Sequence, residues 1–495
     1  MPEKKNPFGT LGIASAVYAL FYTFCLYKNA SGITYPFFVA GTLGFFFFCM
    51  KRCGVPCDSG FRKGWKLFYT VSVLLLGLSV CLTDDWKLLL MTKTGLFLLT
   101  MTLAVRLFGR TQGNSFGGNL RAIGSGIMET LYCIDKPIAD GVEYVKAGGQ
   151  LFKNKKTQSV LLGLLIALPL LAVILALLFS ADAVFFNLAK EMAGDWNLRE
   201  PLLVCLMIAA VYMVSYSFIR GLTSYETKPP RNPGKKGEPI AAITFTSLIA
   251  LVYLAFCAVQ ILYLFIGKMQ LPEGLTWASY ARQGFFQLLF VCLINLVMVL
   301  LCLALFGESR ILKGILTAIS LMTYIMVVSS ALRMFLYIQN YYMTFLRLMV
   351  LWALAVIAVV LVGVIIFTWQ KSFPLFGYCT VAVTLFYLVL AFARPDFVVA
   401  KYDISHASVQ EADGEDPYAG IYRGFADYEY LNGLSADAAP VLTEKKVEAV
   451  FGSARAFSGF YERNWEKAQD MNWRTFNFSR WLAGRYMGGW YDGEN

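Results

Sequence analysis

The residues best suited to chemistry lie in Leu332 to Leu348, L-R-M-F-L-Y-I-Q-N-Y-Y-M-T-F-L-R-L. Arg333 and Arg347 stand there between long apolar runs. As one helix, the stretch places Arg333, Tyr337, Asn340, Tyr341, Thr344 and Arg347 within an arc of roughly 120°. Two guanidiniums flanked by tyrosyl and threonyl donors suit an anionic head group, a phosphate or a carboxylate. The plainer reading is that both arginines reach one membrane interface and the tyrosines join its aromatic belt. Arginine in mid-membrane costs about 2.5 kcal/mol or more on insertion scales, so it normally faces protein or water. Lys93, inside a predicted fourth span, is a weaker candidate for the same chemistry. It is equally explained as a surface lysine near a span end.

Other chemistries find less material. No nucleophile elbow, phosphate loop, H-E-x-x-H or kinase motif occurs, so no catalytic residues are assigned. The glycines of Gly113 to Gly126 follow no predicted strand and read as loop. Cys49, Cys53 and Cys57 run C-x3-C-x3-C, but Gly54 and Pro56 break the helix that would align them, and His406 is the only histidine. No metal and no cofactor is expected. The eleven cysteines are mostly scattered singly through apolar segments, as small buried hydrophobes are, rather than paired in a disulfide framework. Every acidic residue before Arg394 falls in a loop or at a span end. That disfavours a carrier coupled to protons or sodium, which usually keeps a carboxylate inside the membrane.

The elements that hold these residues are membrane helices. Of 495 residues 58% are hydrophobic and 15% charged, against about 25% charged in ordinary soluble chains. The fold class expected is all-α, a polytopic bundle of about eleven spans with a small helical tail. Residues 1–108 hold four spans, with Trp65 and Trp86 at interfacial positions. Residues 109–159 carry an apolar stripe of Leu120, Ile123, Ile127, Leu131, Ile134, Ile138, Val142 and Val145, stepped by three or four and divided near Pro137. This is either a helix lying in the membrane interface or one that packs on the bundle. Residues 160–219 hold two spans, the fifth from about Val160 to Phe179. Residues 220–239 read as a Pro-, Gly- and Lys-rich linker, and residues 240–393 as a five-span half. The stretch Ile315 to Val362 has neither Gly nor Pro and would make a helix of about 70 Å, so it must divide at its central polar residues.

Charge is unevenly spread. The net charge is +11, yet half of the 32 acidic residues follow Arg394. The basic excess sits in alternate inter-span loops, the positive-inside pattern, and predicts a cytosolic N-terminus. It needs no nucleic-acid partner. The pattern fades after the eighth span and leaves the side of the tail open. In the tail, residues 394–495, Pro395 ends the last span and Asp396 is placed to cap the next helix. The stretch Asp427 to Leu442 reads as two short helices with Ser435 as a cap. Trp473 to Trp490 mixes Trp473, Phe476, Phe478, Trp481, Tyr486 and Trp490 with Arg474, Arg480 and Arg485. It would dock on the membrane interface or a partner, or else close the tail's own core.

Four stretches together resemble a bacterial multi-pass membrane family, the domain of unknown function numbered 4173, related to number 4153. They are R-M-F-L-Y with Y-Y-M-T-F-L-R-L at Arg333 to Leu348, R-P-D-F-V-V-A-K-Y-D-I at Arg394 to Ile404, D-Y-E-Y-L with L-S-A-D-A at Asp427 to Ala438, and W-R-T-F-N-F-S-R at Trp473 to Arg480. The resemblance covers roughly Ile240 to Arg485. It implies a protein of the bacterial cytoplasmic membrane, with no activity, cofactor or partner to carry over. Family members often show Y-G-L-T before the second arginine, whereas Tyr342 replaces the glycine here, which argues against a tight turn. The reading that best joins these features is a non-enzymatic sensory, regulatory or scaffolding protein. Membrane lipids surround it, and a protein partner is reached through the tail. A transporter or lipid-handling protein with its site at Arg333 and Arg347 is the rival, and a membrane-embedded enzyme comes third.

Overall fold

Apolar runs of about twenty residues leave the backbone no partner in lipid except itself, and helices result. The computed structural model describes residues 8–53, 63–109, 116–146, 174, 199–223, 237–262, 277–406, 428–443 and 457–491. Its N-terminal half contains α1 (Phe8–Leu26), α2 (Thr34–Arg52), α3 (Lys63–Val80), α4 (Trp86–Leu107), α5 (Phe116–Tyr132), α6 (Lys136–Lys146) and α7 (Arg199–Thr223). The second half contains α8 (Pro239–Gln260), α9 (Trp277–Leu305), α10 (Arg310–Tyr341), α11 (Phe345–Trp369) and α12 (Leu375–Ala393). The tail holds α13 (Pro395–His406), a 3-10 turn at Ala436–Ala438 running into α14 (Ala439–Leu442), α15 (Ser458–Gln469) and α16 (Phe478–Tyr491). The fold is an all-α polytopic bundle. Nine helices among the described residues are long and apolar enough to cross a membrane. The shorter α3 lies outside those nine but packs between α2, α4 and α12. The predicted fifth span, the lysines 153, 155 and 156, and Cys57 lie outside the described residues.

Two apolar cores fill the bundle, one among α1 to α4 and α7, the other among α8 to α12. The helix α12 joins them. A Cβ on Gly377 would lie 2.6 Å from the Trp65 ring, so only glycine lets the α3 indole lie against α12. Further along, Tyr387 hydrogen-bonds Thr92 of α4 at 2.9 Å. The predicted linker is shorter than expected. Arg220 to Thr223 continue α7, and Arg220 Nε pairs with Asp140 Oδ2 on α6 at 2.8 Å.

The stripe at 109–159 divides at 133–135, just before Pro137, because α6 starts at Lys136. Its stripe does not turn inward along α5. Leu120, Ile127, Leu131 and Ile134 are exposed, while Asn119, Ala122 and Gly126 are buried.

The arginine stretch is not one helix. The helix α10 ends at Tyr341, and α11 begins at Phe345 with the Thr344 side chain accepting from Arg347 N. Tyr342 takes φ 59°, ψ 177°, a conformation that is almost exclusive to glycine. The tight turn disfavoured by Tyr342 is therefore present. Tertiary bonds impose it: Arg347 Nη1 donates to the carbonyls of Tyr341 and Tyr342, and Met343 N donates to Asp403 Oδ1 at 2.7 Å. Tyr342→Gly should relieve the strain and stabilise the protein by about 1 kcal/mol, net of the glycine entropy cost. A denaturing-detergent titration of the purified protein measures this.

Candidate functional site at the tail-docking end

Following the helices end to end places Phe8 at one end of the bundle and the tail at the other. At the Phe8 end, Gly237 lies beside Phe306 and the Trp65 ring lies against Gly377. The opposite end presents loop 27–33, loop 81–85, the turn 342–344 and the exit of α12 at Arg394. The tail seats on all four.

Loop 81–85 carries Thr83, Asp84 and Asp85, three polar residues squeezed between two apolar helices, and all three are buried. Asp437 of the tail is completely buried. Thr83 Oγ1 donates to its Oδ2 and Ser479 Oγ to its Oδ1. Arg394 donates to the same Oδ1 from Nε at 3.3 Å and Nη2 at 3.2 Å. Arg394 reaches this position from the left-handed conformation, φ 54°, that ends α12. Burial pushes the Asp437 carboxyl above the usual carboxylate range, while Arg394, Ser479 and Thr83 pull it back. Asp84 takes Lys467 Nζ at 2.8 Å and Arg480 Nε at 2.6 Å.

Asp85 caps α4 by accepting from Lys87 N at 3.0 Å, and its other oxygen, Oδ2, has no hydrogen-bond partner among the described residues. Asp396 is in the first turn of α13 rather than at its cap. Its Oδ2 accepts from Ser435 N at 2.9 Å and its Oδ1 also lacks a hydrogen-bond partner among the described residues. Ser435 precedes its 3-10 turn without a side-chain capping bond, and its backbone N–H donates to the Asp396 carboxylate. Burial and the neighbouring Asp396 push the Asp85 carboxyl up to about 7.

Asn477 ties the last helix to the bundle. Its Nδ2 donates to Ser31 O and Thr83 O, both at 3.0 Å, and its Oδ1 accepts from Ser479 N at 3.0 Å, capping α16. Phe478 N donates to Cys81 O at 2.9 Å, and Arg474 Nη1 to Phe24 O at 3.0 Å. Asn29 Nδ2 reaches Arg474 O at 3.0 Å across Gly32, where a Cβ would stand 2.5 Å from that carbonyl. The stretch Trp473 to Arg480 thus docks on the bundle of its own chain, while Ala483 and Met487 behind it close the tail core. Asn477→Ala removes a cap and orphans two buried carbonyls, and should cost about 3 kcal/mol. Asn477→Asp keeps the cap acceptor and should recover part of that. Detergent-denaturation midpoints of the two variants measure the difference.

The sequence-predicted face is only partly assembled. Arg347 Cζ stands 4.2 Å from the Tyr337 ring centroid, and the Tyr337 and Tyr341 rings are 5.2 Å apart. Thr344 caps α11, and Asn340 lies in the last turn of α10. Arg333 turns elsewhere: buried, it donates from Nη2 to Gln260 Oε1 on α8 at 3.0 Å, an oxygen that also takes Ser329 Oγ at 2.7 Å. Lys93 lies on α4 in the N-terminal half, whereas both arginines lie in the second half. It lines an apolar slot among α1, α2, α4, α5 and α7, with Nζ 5.7 Å from the Tyr35 ring centroid. The carboxylate cluster at the tail was missed by sequence reasoning. Its one signal was Thr83-Asp84-Asp85 in so short a loop.

Fold and site together define a polytopic helical membrane protein whose tail is seated on one end of its own bundle. The chain belongs to the family described as Domain of unknown function (DUF4153), whose model matches residues 70–445. Membership in the family numbered 4173 is not part of that match. The matched range starts within α3 and so takes in much of the N-terminal half, which the motifs had not covered. It includes Asp84, Asp85, Arg394, Asp396 and Asp437, and stops before Asn477 and Arg480. No curated protein matches the chain. No solved structure matches it either.

Proposed function

We propose that this is a non-enzymatic membrane protein whose bundle holds the tail as a fixed platform on the outer face of a bacterial cytoplasmic membrane, in a regulatory or scaffolding role. The observation that carries this reading is the seating of the tail on four separate bundle segments: Asp437 binds Thr83 and Arg394, Asn477 reaches Ser31, and Asp403 holds Met343 in the 342–344 turn. Such a seat gives the tail one orientation relative to the membrane, as presentation to a partner requires. The sidedness rests on charge. Lys51, Arg52, Lys63, Lys66, Arg220, Arg310 and Lys313 all belong to the Phe8 end, opposite the tail, and basic loops stay cytosolic.

Arg333 and Arg347 brace helices in this reading: Arg333 links α10 to α8, and Arg347 closes the turn between α10 and α11. Reporter fusions after Lys401 and at Asn495 test the platform. Active alkaline phosphatase and dark green fluorescent protein are expected at both positions. The reverse pattern would overturn the outer-face reading, and reproducible hydrolysis or group transfer by the purified protein would overturn the non-enzymatic one.

A further inference from the structure

We infer that the slot beside Lys93 binds one acyl chain of an anionic amphiphile, with the negative head on the lysine. The cavity holds about 770 Å³, within the range of small-molecule sites. Its walls are apolar and aromatic, with the Tyr18 ring stacked on Phe45 at 4.5 Å and Tyr22 beside them. From Tyr35 to Phe46 along α2 the slot runs about 16 Å, the length of a dozen or so methylenes. Ile127 and Leu131 of α5, with Ile134 just beyond it, close its far part, which gives the exposed stripe of that helix an apolar ligand to cover.

Lys93 is the one charged residue among the described residues of the lining. It stands about 10 Å into α4 from the tail end, where a charge needs a partner. No ion pair among the described residues involves it, and no acidic residue lines the slot. Tyr35 offers its ring face to the ammonium. A membrane-resident acyl chain with one negative head supplies both the apolar filling and the charge. Its head lies toward the tail end of the bundle and its chain runs toward Ile134.

The test uses the full chain in nanodiscs of neutral phosphatidylcholine, probed by electron paramagnetic resonance with spin-labelled stearate, phosphatidylglycerol and phosphatidylcholine. The expected result is a motionally restricted component that favours an anionic probe about ten-fold over phosphatidylcholine, the worth of one charge-assisted contact. Whether stearate or phosphatidylglycerol is preferred distinguishes a free chain from an esterified one. Lys93→Met should abolish the preference and Lys93→Arg should keep it. Ala210→Trp, which fills the slot from α7, should remove the restricted component for every probe. Equal restriction of all three probes, a preference that survives Lys93→Met, or a restricted component that survives Ala210→Trp would overturn the inference. So would the absence of any restricted component, the result expected if residues 160–179 fill the slot.

Discussion

Asp437→Ala should release the tail from the bundle at a cost of about 3–5 kcal/mol, the usual penalty for breaking a buried ion pair by removing one partner. The carboxylate is fully buried and takes donors from Arg394, Thr83 and Ser479. Its loss strands a guanidinium that is itself mostly buried, together with two hydroxyls from opposite sides of the contact. Asp437→Asn keeps the shape and should cost less. Replacing both partners, Asp437→Leu with Arg394→Met, should recover most of the loss, because the desolvation of two charges is removed along with their attraction. The readout is a detergent-denaturation titration monitored on tail tryptophans such as Trp465 and Trp481. If the double variant is as unstable as Asp437→Ala, the ion pair is not what holds the tail.

The second large effect is on pH. Asp85 is buried, its Oδ2 has no hydrogen-bond partner among the described residues, and Asp396 and Asp437 face it, with Lys87 on its own helix and Arg394 beyond Asp437. Its carboxyl titrates near 7 in the folded chain and near 3.8 when unfolded. The native state therefore holds this proton more tightly than the unfolded chain does. The contribution of Asp85 to stability is greatest below about pH 4, falls as pH rises, and is lost above about pH 7. The span of that loss is of the order of 4 kcal/mol. The tail should accordingly be seated more firmly at pH 5.5 than at pH 8. Asp85→Asn keeps the α4 cap, since asparagine caps as well as aspartate. It should stabilise the protein at pH 8 and flatten the profile. Denaturation midpoints between pH 5 and 8 for the wild type and this variant decide the matter. A profile that rises with pH, or one unchanged by Asp85→Asn, would refute it.

How much of this was legible in the sequence follows from the distance over which each feature is determined. The membrane helices were, because length and apolarity are local. The observed α4 begins at Trp86, one of the tryptophans placed at an interface, and α11 begins at Phe345, just after the expected division. The division of Ile315 to Val362 was forced by bilayer thickness. The glycine-like turn at Tyr342 was misjudged because local preference was all the sequence offered, whereas Arg347 and Asp403 hold that turn by tertiary bonds.

The docking network was invisible for a similar reason. Thr83 and Asp437 are 354 positions apart, and Asn477 reaches back to Ser31 and Thr83. In sequence, Asp84 and Asp85 are ordinary loop carboxylates, and Asn477 is one polar residue in an aromatic stretch. The single face proposed for Arg333 and Arg347 relied on helix periodicity running through residues 342–344, and the chain breaks there. Lys93 was read as a weaker candidate for the same anion chemistry as the arginines, or as a surface lysine near a span end. The slot it enters is formed by helices from across the N-terminal half.

The most direct test of the fixed tail is hydrogen–deuterium exchange of the protein in nanodiscs, comparing the wild type with Asp437→Ala. Slow exchange across 458–469 and 478–491 is expected in the wild type. In the variant these segments should exchange quickly while 345–369 stays protected. Fast exchange of the wild-type tail, or a tail equally protected in the variant, would contradict a tail held on the bundle through Asp437.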